Sequence, residues 1–161
     1  MLKIIKRLFL VIGLFVLSNC NTLKFDKESE TEKINILLNN WHIAAKDAHF
    51  ESYMNLISED GFYIGTDASE IWTQKEFKAF SKPYFDKKET WNFKALKRNI
   101  HFSKKNNVAW FNENLITWMG ECRGSGILEN TNGHWKIKQY VLSLIVPNDK
   151  MKEAIEVLKE E

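Results

Sequence analysis

The period of the apolar residues changes from helical to alternating near Lys88. Before Lys88 they recur every three or four positions, a spacing that predicts amphipathic helices. After Lys88 they alternate, which predicts strands, and the sequence Asn130-Thr131-Asn132-Gly133 is a hairpin signal between two of them. Helices followed by hairpin-connected strands predict an α+β domain, with the helices packed on one face of an antiparallel sheet.

Two capping boxes predict where helices begin. Ser29 with Glu32 forms the first box, and Thr73 with Glu76 forms the second. In each, the hydroxyl and the carboxylate three residues later can satisfy each other's backbone amides. The apolar positions that follow the first box at helical spacing are Ile34, Leu37, Leu38, Trp41, Ala45 and Ala48.

Three further segments are predicted from their composition. Asp60-Gly61 ends a short helical pattern that begins at Phe50, and residues 62–64 are typical of a short strand. Residues 107–118 carry large apolar side chains at both odd and even positions, which predicts a strand covered on both faces. Residues 149–161 form an amphipathic C-terminal helix.

Charge and cysteine content argue against a nucleic-acid-binding protein and against a disulfide-stabilised one. The 161 residues include 23 Lys+Arg and 21 Asp+Glu, a net charge of +2. Three of the basic residues lie in the first seven positions, and the rest of the chain holds 20 basic against 21 acidic residues. No basic surface for nucleic acid is therefore predicted. Two cysteines cannot form a disulfide framework.

The first twenty residues are typical of an export signal. The basic segment Met1–Arg7 precedes the apolar run Leu8–Leu17, which is too short to span a bilayer as an ordinary helix. The sequence Leu17-Ser18-Asn19-Cys20 resembles the lipobox of bacterial lipoproteins, although Asn19 departs from the usual small residue. The resemblance implies that Cys20 is lipidated and that the domain lies outside the cytoplasm, anchored in the cell envelope. The alternative is an uncleaved anchor with an incidental cysteine.

Four regions follow from these assignments. Residues 1–19 are predicted to be the lipoprotein signal peptide, and residues 20–30 the lipidated cysteine and a polar tether. Residues 31–148 form the folded domain, and residues 149–161 the C-terminal helix. If Cys20 carries lipid, Cys122 has no disulfide partner.

Three stretches resemble the nuclear-transport-factor-2-like superfamily, in its SnoaL-like branch. They are Gly65–Trp72, Val108–Glu113, and Arg123-Gly124-Ser125-Gly126 with the later Trp135–Tyr140 and the closing Pro147-Asn148. The resemblance implies a cystatin-like α+β fold in which N-terminal helices and a curved antiparallel sheet form a cone around a pocket. Relatives include enzymes as well as proteins that bind small molecules or other proteins, so the fold alone does not set the chemistry.

Glu113 is the candidate for catalysis. It shares a strand face with Phe111 and Leu115, so its carboxylate can point into a dry pocket, where a raised pKa would suit a general base. The alternative, which we favour, is a structural Glu–Arg pair, with Arg123 as a candidate partner. The two glycines after Arg123 indicate a bend of the sheet more than an anion site.

The predicted site has two parts besides Glu113. The loop Thr66, Asp67 and Glu70 is expected to order itself through side-chain bonds to its own amides. The residues expected to line the pocket are Trp41, Trp72, Phe111, Glu113, Arg123, Ser125, Gln139 and Tyr140.

The sequence leaves three functions open. No histidine spacing suits a metal, and no cofactor motif or catalytic serine context is found. First, the pocket binds a small apolar or amphipathic molecule. Second, the outer sheet face forms a homodimer or docks to an envelope partner. Third, Glu113 serves an enzyme of the isomerase, cyclase or hydratase type; this ranks last because no acid–base pair accompanies it.

Overall fold

The first helix begins three residues before its predicted start. In the computed structural model, which describes residues 25–159, α1 runs Lys27–Lys46. Its N-cap is Asp26, whose carboxylate accepts hydrogen bonds from the amides of Glu28 (3.0 Å) and Ser29 (3.2 Å). A carboxylate there also meets the positive end of the helix dipole, which a serine hydroxyl does not exploit. Part of the predicted tether therefore belongs to α1, while residues 1–24, with Cys20, lie outside the described residues.

Asp26→Ala is expected to lower the free energy of unfolding by about 1 kcal/mol, because two amides lose their acceptor. Ser29→Ala, which removes the predicted cap, is the matched control and should cost less than about 0.5 kcal/mol, since Ser29 lies inside the first turn of α1. Urea denaturation of both variants measures the difference. Equal losses would contradict the assignment of Asp26 as the cap.

The next segment differs from its prediction at Asp60-Gly61. Helix α2 is Phe50–Met54, and strand β1 runs Ile57–Ile64, so Asp60-Gly61 lies within β1. The pairing of β1 with a neighbouring strand is irregular between Ile57 and Phe62, which accommodates the glycine as an interruption inside the strand. Strand β2 is Ile71–Thr73, and α3, Gln74–Lys87, begins at the predicted capping box of Thr73 and Glu76.

The remaining strands form a meander. They are β3 Lys94–Phe102, β4 Val108–Thr117, β5 Gly120–Thr131 and β6 His134–Leu144. A 3-10 turn at Asn148–Lys150 leads into α4, Met151–Val157, which has no buried residue. No helix among residues 25–159 is long and apolar enough to cross a membrane.

The sheet is mixed rather than wholly antiparallel. Its order is β2-β1-β6-β5-β4-β3, and β1 pairs with β6 in parallel, whereas the other pairs are antiparallel. Because α3 and four strands separate β1 from β6, no hairpin sets the direction of that pair. The predicted α+β architecture is confirmed, with the first helix packed against one face of a curved, unclosed sheet. The prediction of an antiparallel sheet is wrong at this one pair.

The two faces of β4 differ in burial. Alternate residues from Ala109 to Thr117 are buried, whereas Trp110 is 46% exposed and Ile116 is 40% exposed. Within the described residues 25–159, only one face of β4 is covered, so the expectation that both faces are covered is wrong. On the uncovered face, one residue from each of five neighbouring strands lies beside the next. We call these five residues the outer row: His101, Trp110, Ile127, Gln139 and Phe62.

Candidate functional site

Glu113 lies at the centre of a buried polar cluster. Its side chain is 0% exposed, on the inner face of β4. Oε1 accepts hydrogen bonds from His42 Nε2 (2.8 Å) and the Tyr140 hydroxyl (3.0 Å). Oε2 accepts from Arg98 Nε (2.9 Å) and Nη2 (2.7 Å). We call Glu113, His42, Arg98 and Tyr140 the Glu113 cluster; it satisfies both carboxylate oxygens.

Arg98 ties this cluster to the first helix. Its Nη1 donates to the Asn35 carbonyl (3.2 Å), to Asn35 Oδ1 (3.1 Å) and to Asn39 Oδ1 (3.1 Å). Because His42 is also on α1, the cluster joins α1 to β3, β4 and β6. Its first role is therefore to fix the helix on the sheet.

The arginine beside Glu113 is Arg98, not Arg123. Arg98 lies directly opposite Glu113 in the β3–β4 pairing, whereas Arg123 pairs with Asn114, is exposed and belongs to the outer face. The sequence held a signal for this pair. The sequence Lys104-Lys105-Asn106-Asn107 is typical of a turn, and strands folded symmetrically about it place position 98 opposite position 113.

The environment keeps Glu113 ionised. Burial raises the pKa of its carboxyl, but hydrogen bonds and positive charge from His42 and Arg98 outweigh burial and hold the pKa below its usual value. Burial and the negative charge of Glu113 raise the pKa of Tyr140 well above its ordinary range, so this hydroxyl is a donor. A general base in a dry pocket needs the opposite shift, so the geometry favours the structural role.

Two glycines of β5 make room for close neighbours, Gly124 for the Glu113 cluster and Gly126 for Phe111 and the backbone of Gln139. A Cβ on Gly124 would lie 2.2 Å from the Tyr140 hydroxyl oxygen and 2.9 Å from Glu113 Oε1. A Cβ on Gly126 would lie 2.8 Å from the Phe111 ring. The pairing of β5 with β6 shifts one position later, between Ile127 and Leu128. The glycines thus let neighbouring groups approach the backbone of β5 closely, and the irregularity of the β5–β6 pairing lies next to them.

The residues predicted to line one pocket divide between the two faces of the sheet. Trp41, Phe111, Glu113 and Tyr140 are buried on the inner face. Arg123, Ser125 and Gln139 belong to the outer face, as their pairing with Asn114, Asn112 and Phe62 shows. Because successive residues of a strand point to opposite faces, Arg123 and Ser125 lie on the face opposite to Gly124 and Glu113. The irregularity in the β5–β6 pairing places Gln139 on the outer face.

Aromatic side chains fill the interior next to the Glu113 cluster. Trp41 stacks on Tyr53 with ring centroids 4.9 Å apart and packs edge-on against Tyr140 at 4.7 Å. Trp41 Nε1 is buried and has no hydrogen-bond partner among the described residues. The interior around Trp41 and Glu113 is therefore packed with side chains, although a cleft of about 320 Å³ lined by Asn39 and Lys94 reaches His42.

A cavity of about 150 Å³, which we call the end cavity, lies at one end of the sheet. Of the predicted pocket residues, Trp72 lines it, and Thr66 and Glu70 of the predicted loop contribute its polar groups. A wider cleft of about 790 Å³ adjoins it and shares Phe80, Trp91 and Trp118. The aromatic residues of the end cavity are Tyr63, Trp72, Phe77, Phe80, Trp91, Phe93 and Trp118. Except for Trp72, they were not among the predicted pocket residues.

The loop beside the end cavity is held by bonds within itself. The Asp67 carboxylate accepts from Ser69 N (2.8 Å) and Ser69 Oγ (2.5 Å), bonds that lower its pKa. The Glu70 carboxylate accepts from Asp67 N (3.3 Å), and Gly65 N donates to the Glu70 carbonyl (2.8 Å). Thr66 makes no side-chain hydrogen bond to another described residue and instead faces the cavity.

The part of the chain that the structure describes holds no group of three or more His, Cys, Asp and Glu residues placed to bind a metal ion. Cys122 is a buried free thiol, 3.5 Å from Thr117 Oγ1.

Comparison with known structures supports the fold. A domain of unknown function with a cystatin-like fold from Nostoc punctiforme superposes with a TM-score of 0.69 at 12% identity, over 84% of this chain and 89% of that one. An NTF2-like protein of unknown function from Pseudomonas putida gives 0.63 at 10% identity, over 76% and 92%. An NTF2-like protein from Cytophaga hutchinsonii gives 0.59 at 14% identity, over 75% and 100%.

Comparison at the level of sequence gives the family. No curated protein matches the chain. The sequence model of the SnoaL-like domain matches residues 34–147, from the first helix to the end of the last strand. Since this match covers most of the chain and the structure has the cystatin-like architecture of the group, the protein belongs to the family of SnoaL-like domains, within the NTF2-like superfamily.

Proposed function

We propose that this domain binds a small organic molecule in the end cavity. The observation that carries the proposal is the lining itself, in which aromatic rings surround a space with a few polar groups at its edge, from Thr66 and Glu70. Ligand sites are typically apolar concavities with few polar groups of this kind. A volume of about 150 Å³ suits a molecule or moiety near the size of benzene. The adjoining cleft can hold a larger remainder.

The end cavity favours binding over catalysis at Glu113. The hydrogen bonds that the Glu113 carboxylate accepts come from His42, Arg98 and Tyr140, and the bonds and charges of His42 and Arg98 lower its pKa. Glu113 does not line the end cavity. An isomerase, cyclase or hydratase acting through Glu113 would need the cluster to open and the carboxylate to gain a proton. The enzyme hypothesis therefore stays the alternative.

Filling the cavity tests the proposal. Leu142 is buried and lines the end cavity, and Leu142→Phe adds bulk there. Toluene is expected to broaden and shift the signals of cavity residues in NMR spectra of the wild-type protein, and this response should fall at least about tenfold in the variant. Leu144→Phe, on the same strand but 51% exposed, is the matched control and should respond like the wild type. An equal toluene response in all three proteins, or no response of the wild type to toluene, choline and 3,3-dimethyl-1-butanol alike, would refute the cavity as a binding site.

A second candidate function is self-association through the outer row. Trp110 is 46% exposed and sits between His101 and Ile127 in the row, with its ring 5.9 Å from that of His101. A line of exposed apolar and aromatic side chains across several strands is a typical protein contact surface. We infer that two copies of the chain pack through this face as a homodimer.

Trp110→Lys is expected to shift the protein from dimer to monomer by placing a charge in the contact. Ile155→Lys, a control on α4 with similar exposure (44% against 46%), should leave the dimer intact. Analytical ultracentrifugation at micromolar concentration measures both. A wild-type protein that is monomeric throughout that range would contradict the inference.

We also propose that the domain is anchored to a membrane through lipid on Cys20. The support is the basic and apolar leader and the cysteine that follows it, seven residues before α1 begins at Lys27. In cells fed radiolabelled palmitate, the wild-type chain should take up label and Cys20→Ser should not. Globomycin should cause a lipid-modified precursor to accumulate. Absence of label in the wild type would exclude the anchor.

A further inference from the structure

The end cavity combines aromatic walls with one charge. Among the described residues that line it, Glu70 is the one with a carboxylate, and none is a lysine or an arginine. An uncharged apolar ligand that filled this space would strip water from the carboxylate without replacing it, which is costly. An anionic ligand would meet like charge. The composition of the lining therefore favours a cation.

The rings form a continuous aromatic surface. Trp72 and Phe80 are stacked with centroids 4.5 Å apart, and Phe77 lies 5.7 Å from Trp72 and 6.0 Å from Trp91. The negative face of an aromatic ring attracts a cation within about 6 Å of its centroid, and tryptophan does so most strongly. With rings this close together, a cation in the cavity can be near several of them at once.

Glu70 is held in place without a cationic partner among the described residues. Its carboxylate accepts from the amide of Asp67, and its carbonyl from the amide of Gly65. Its charge also acts on the cavity wall. Burial raises the pKa of Tyr63, and the negative charge of Glu70 raises it further. Since Tyr63 lines the same cavity, the field of Glu70 reaches the space where a ligand would sit.

We propose that the ligand of the end cavity is a small organic cation, an alkylated ammonium group held by the aromatic rings and paired with Glu70. This inference rests on the proposed binding function. Alkyl groups on the nitrogen suit it better than a bare ammonium, because a compact ammonium is strongly hydrated and would lose more water on entry. The adjoining cleft leaves room for whatever the ammonium is attached to.

Choline and its uncharged isostere 3,3-dimethyl-1-butanol test the charge directly. They share a shape and differ in one central atom, so isothermal titration should show choline binding at least about tenfold more tightly. Equal affinities, or tighter binding of the alcohol, would overturn the cation proposal and leave the binding function standing. Failure of choline, the alcohol and toluene alike would overturn both.

Glu70→Gln separates charge from structure. Glutamine keeps an oxygen that can accept from the Asp67 amide, so the loop should stay ordered while the charge is lost. Choline affinity is expected to fall about tenfold, with no change for 3,3-dimethyl-1-butanol. Glu59→Gln, an exposed residue of β1 outside the cavity lining, is the control for net charge and should bind choline as the wild type does. Equal losses in the two variants would refute the pairing with Glu70.

Discussion

Glu113→Gln is expected to destabilise the protein by about 3–5 kcal/mol, because it leaves Arg98 buried without its counter-charge. Glutamine can still accept from Tyr140 and His42 through its oxygen, but its amide group would then face the guanidinium with donors against donors. Urea denaturation at neutral pH measures the loss. Glu121→Gln, an exposed position on β5, is the matched control and should change stability by less than about 0.5 kcal/mol.

A double-mutant cycle attributes the loss to the ion pair. Arg98→Met alone leaves a buried carboxylate and also removes the bonds to Asn35 and Asn39, so it should be about as harmful as Glu113→Gln. Glu113→Gln combined with Arg98→Met leaves neither charge unpaired. The double variant should therefore be more stable than the sum of the single losses predicts, by at least about 1 kcal/mol. Additive losses would show that the two residues act independently.

The same pair predicts a pH dependence. The pKa of Glu113 in the folded protein lies below its ordinary value of 4.5, which the unfolded chain retains. The ionised carboxylate therefore contributes its full stabilisation above pH 4.5, and this contribution is lost as the pH falls through the lower folded pKa. The stability difference between wild type and Glu113→Gln should accordingly be constant near neutral pH and shrink in acid. A difference that grows on acidification would contradict the direction of the shift.

Local signals were sufficient for most of the architecture. The change of period near Lys88, the capping box at Thr73 and the turn at residues 130–133 depend on neighbours in sequence, and the structure has the corresponding helices and hairpin. Where a local signal competed with another, the prediction was wrong. Asp26 caps α1 in place of Ser29, because both can cap and only the fold selects between them.

The site depended on properties that the sequence does not display locally. The direction of β1 follows from its pairing with β6, a partner more than seventy residues away. The face of the sheet on which Gln139 lies depends on a single irregularity in the β5–β6 pairing. For the residues of β6 on one side of this irregularity, the inner and outer faces are exchanged. The position of the cavity depends on how the rings pack, since Trp41 fills the space beside Glu113 while Trp72 leaves space beside Glu70.

Gly124→Ala is expected to cost about 3 kcal/mol, near the upper end for overpacking in a core. The added Cβ would lie 2.2 Å from the Tyr140 hydroxyl oxygen and 2.9 Å from Glu113 Oε1, atoms held by the bonds of the Glu113 cluster. Neither can retreat without breaking a buried hydrogen bond. Ser125→Ala, the next residue along β5 and on the outer face, is the control and should be nearly neutral. Thermal and urea unfolding of the two variants give the comparison.

Removing the Tyr140 hydroxyl should relieve part of this clash. Tyr140→Phe alone is expected to cost about 1–2 kcal/mol, since Glu113 loses a buried donor. In that background the closest contacts of the new Cβ become the ring carbon and Glu113 Oε1, both at 2.9 Å, so Gly124→Ala should cost at least about 1 kcal/mol less than in the wild type. A cost that is the same in both backgrounds would mean that the Tyr140 hydroxyl is not what requires the glycine, leaving the contact with Glu113 and the bend of β5 as its reasons. The cycle thus isolates the part of the cost of Gly124→Ala that comes from the Tyr140 hydroxyl.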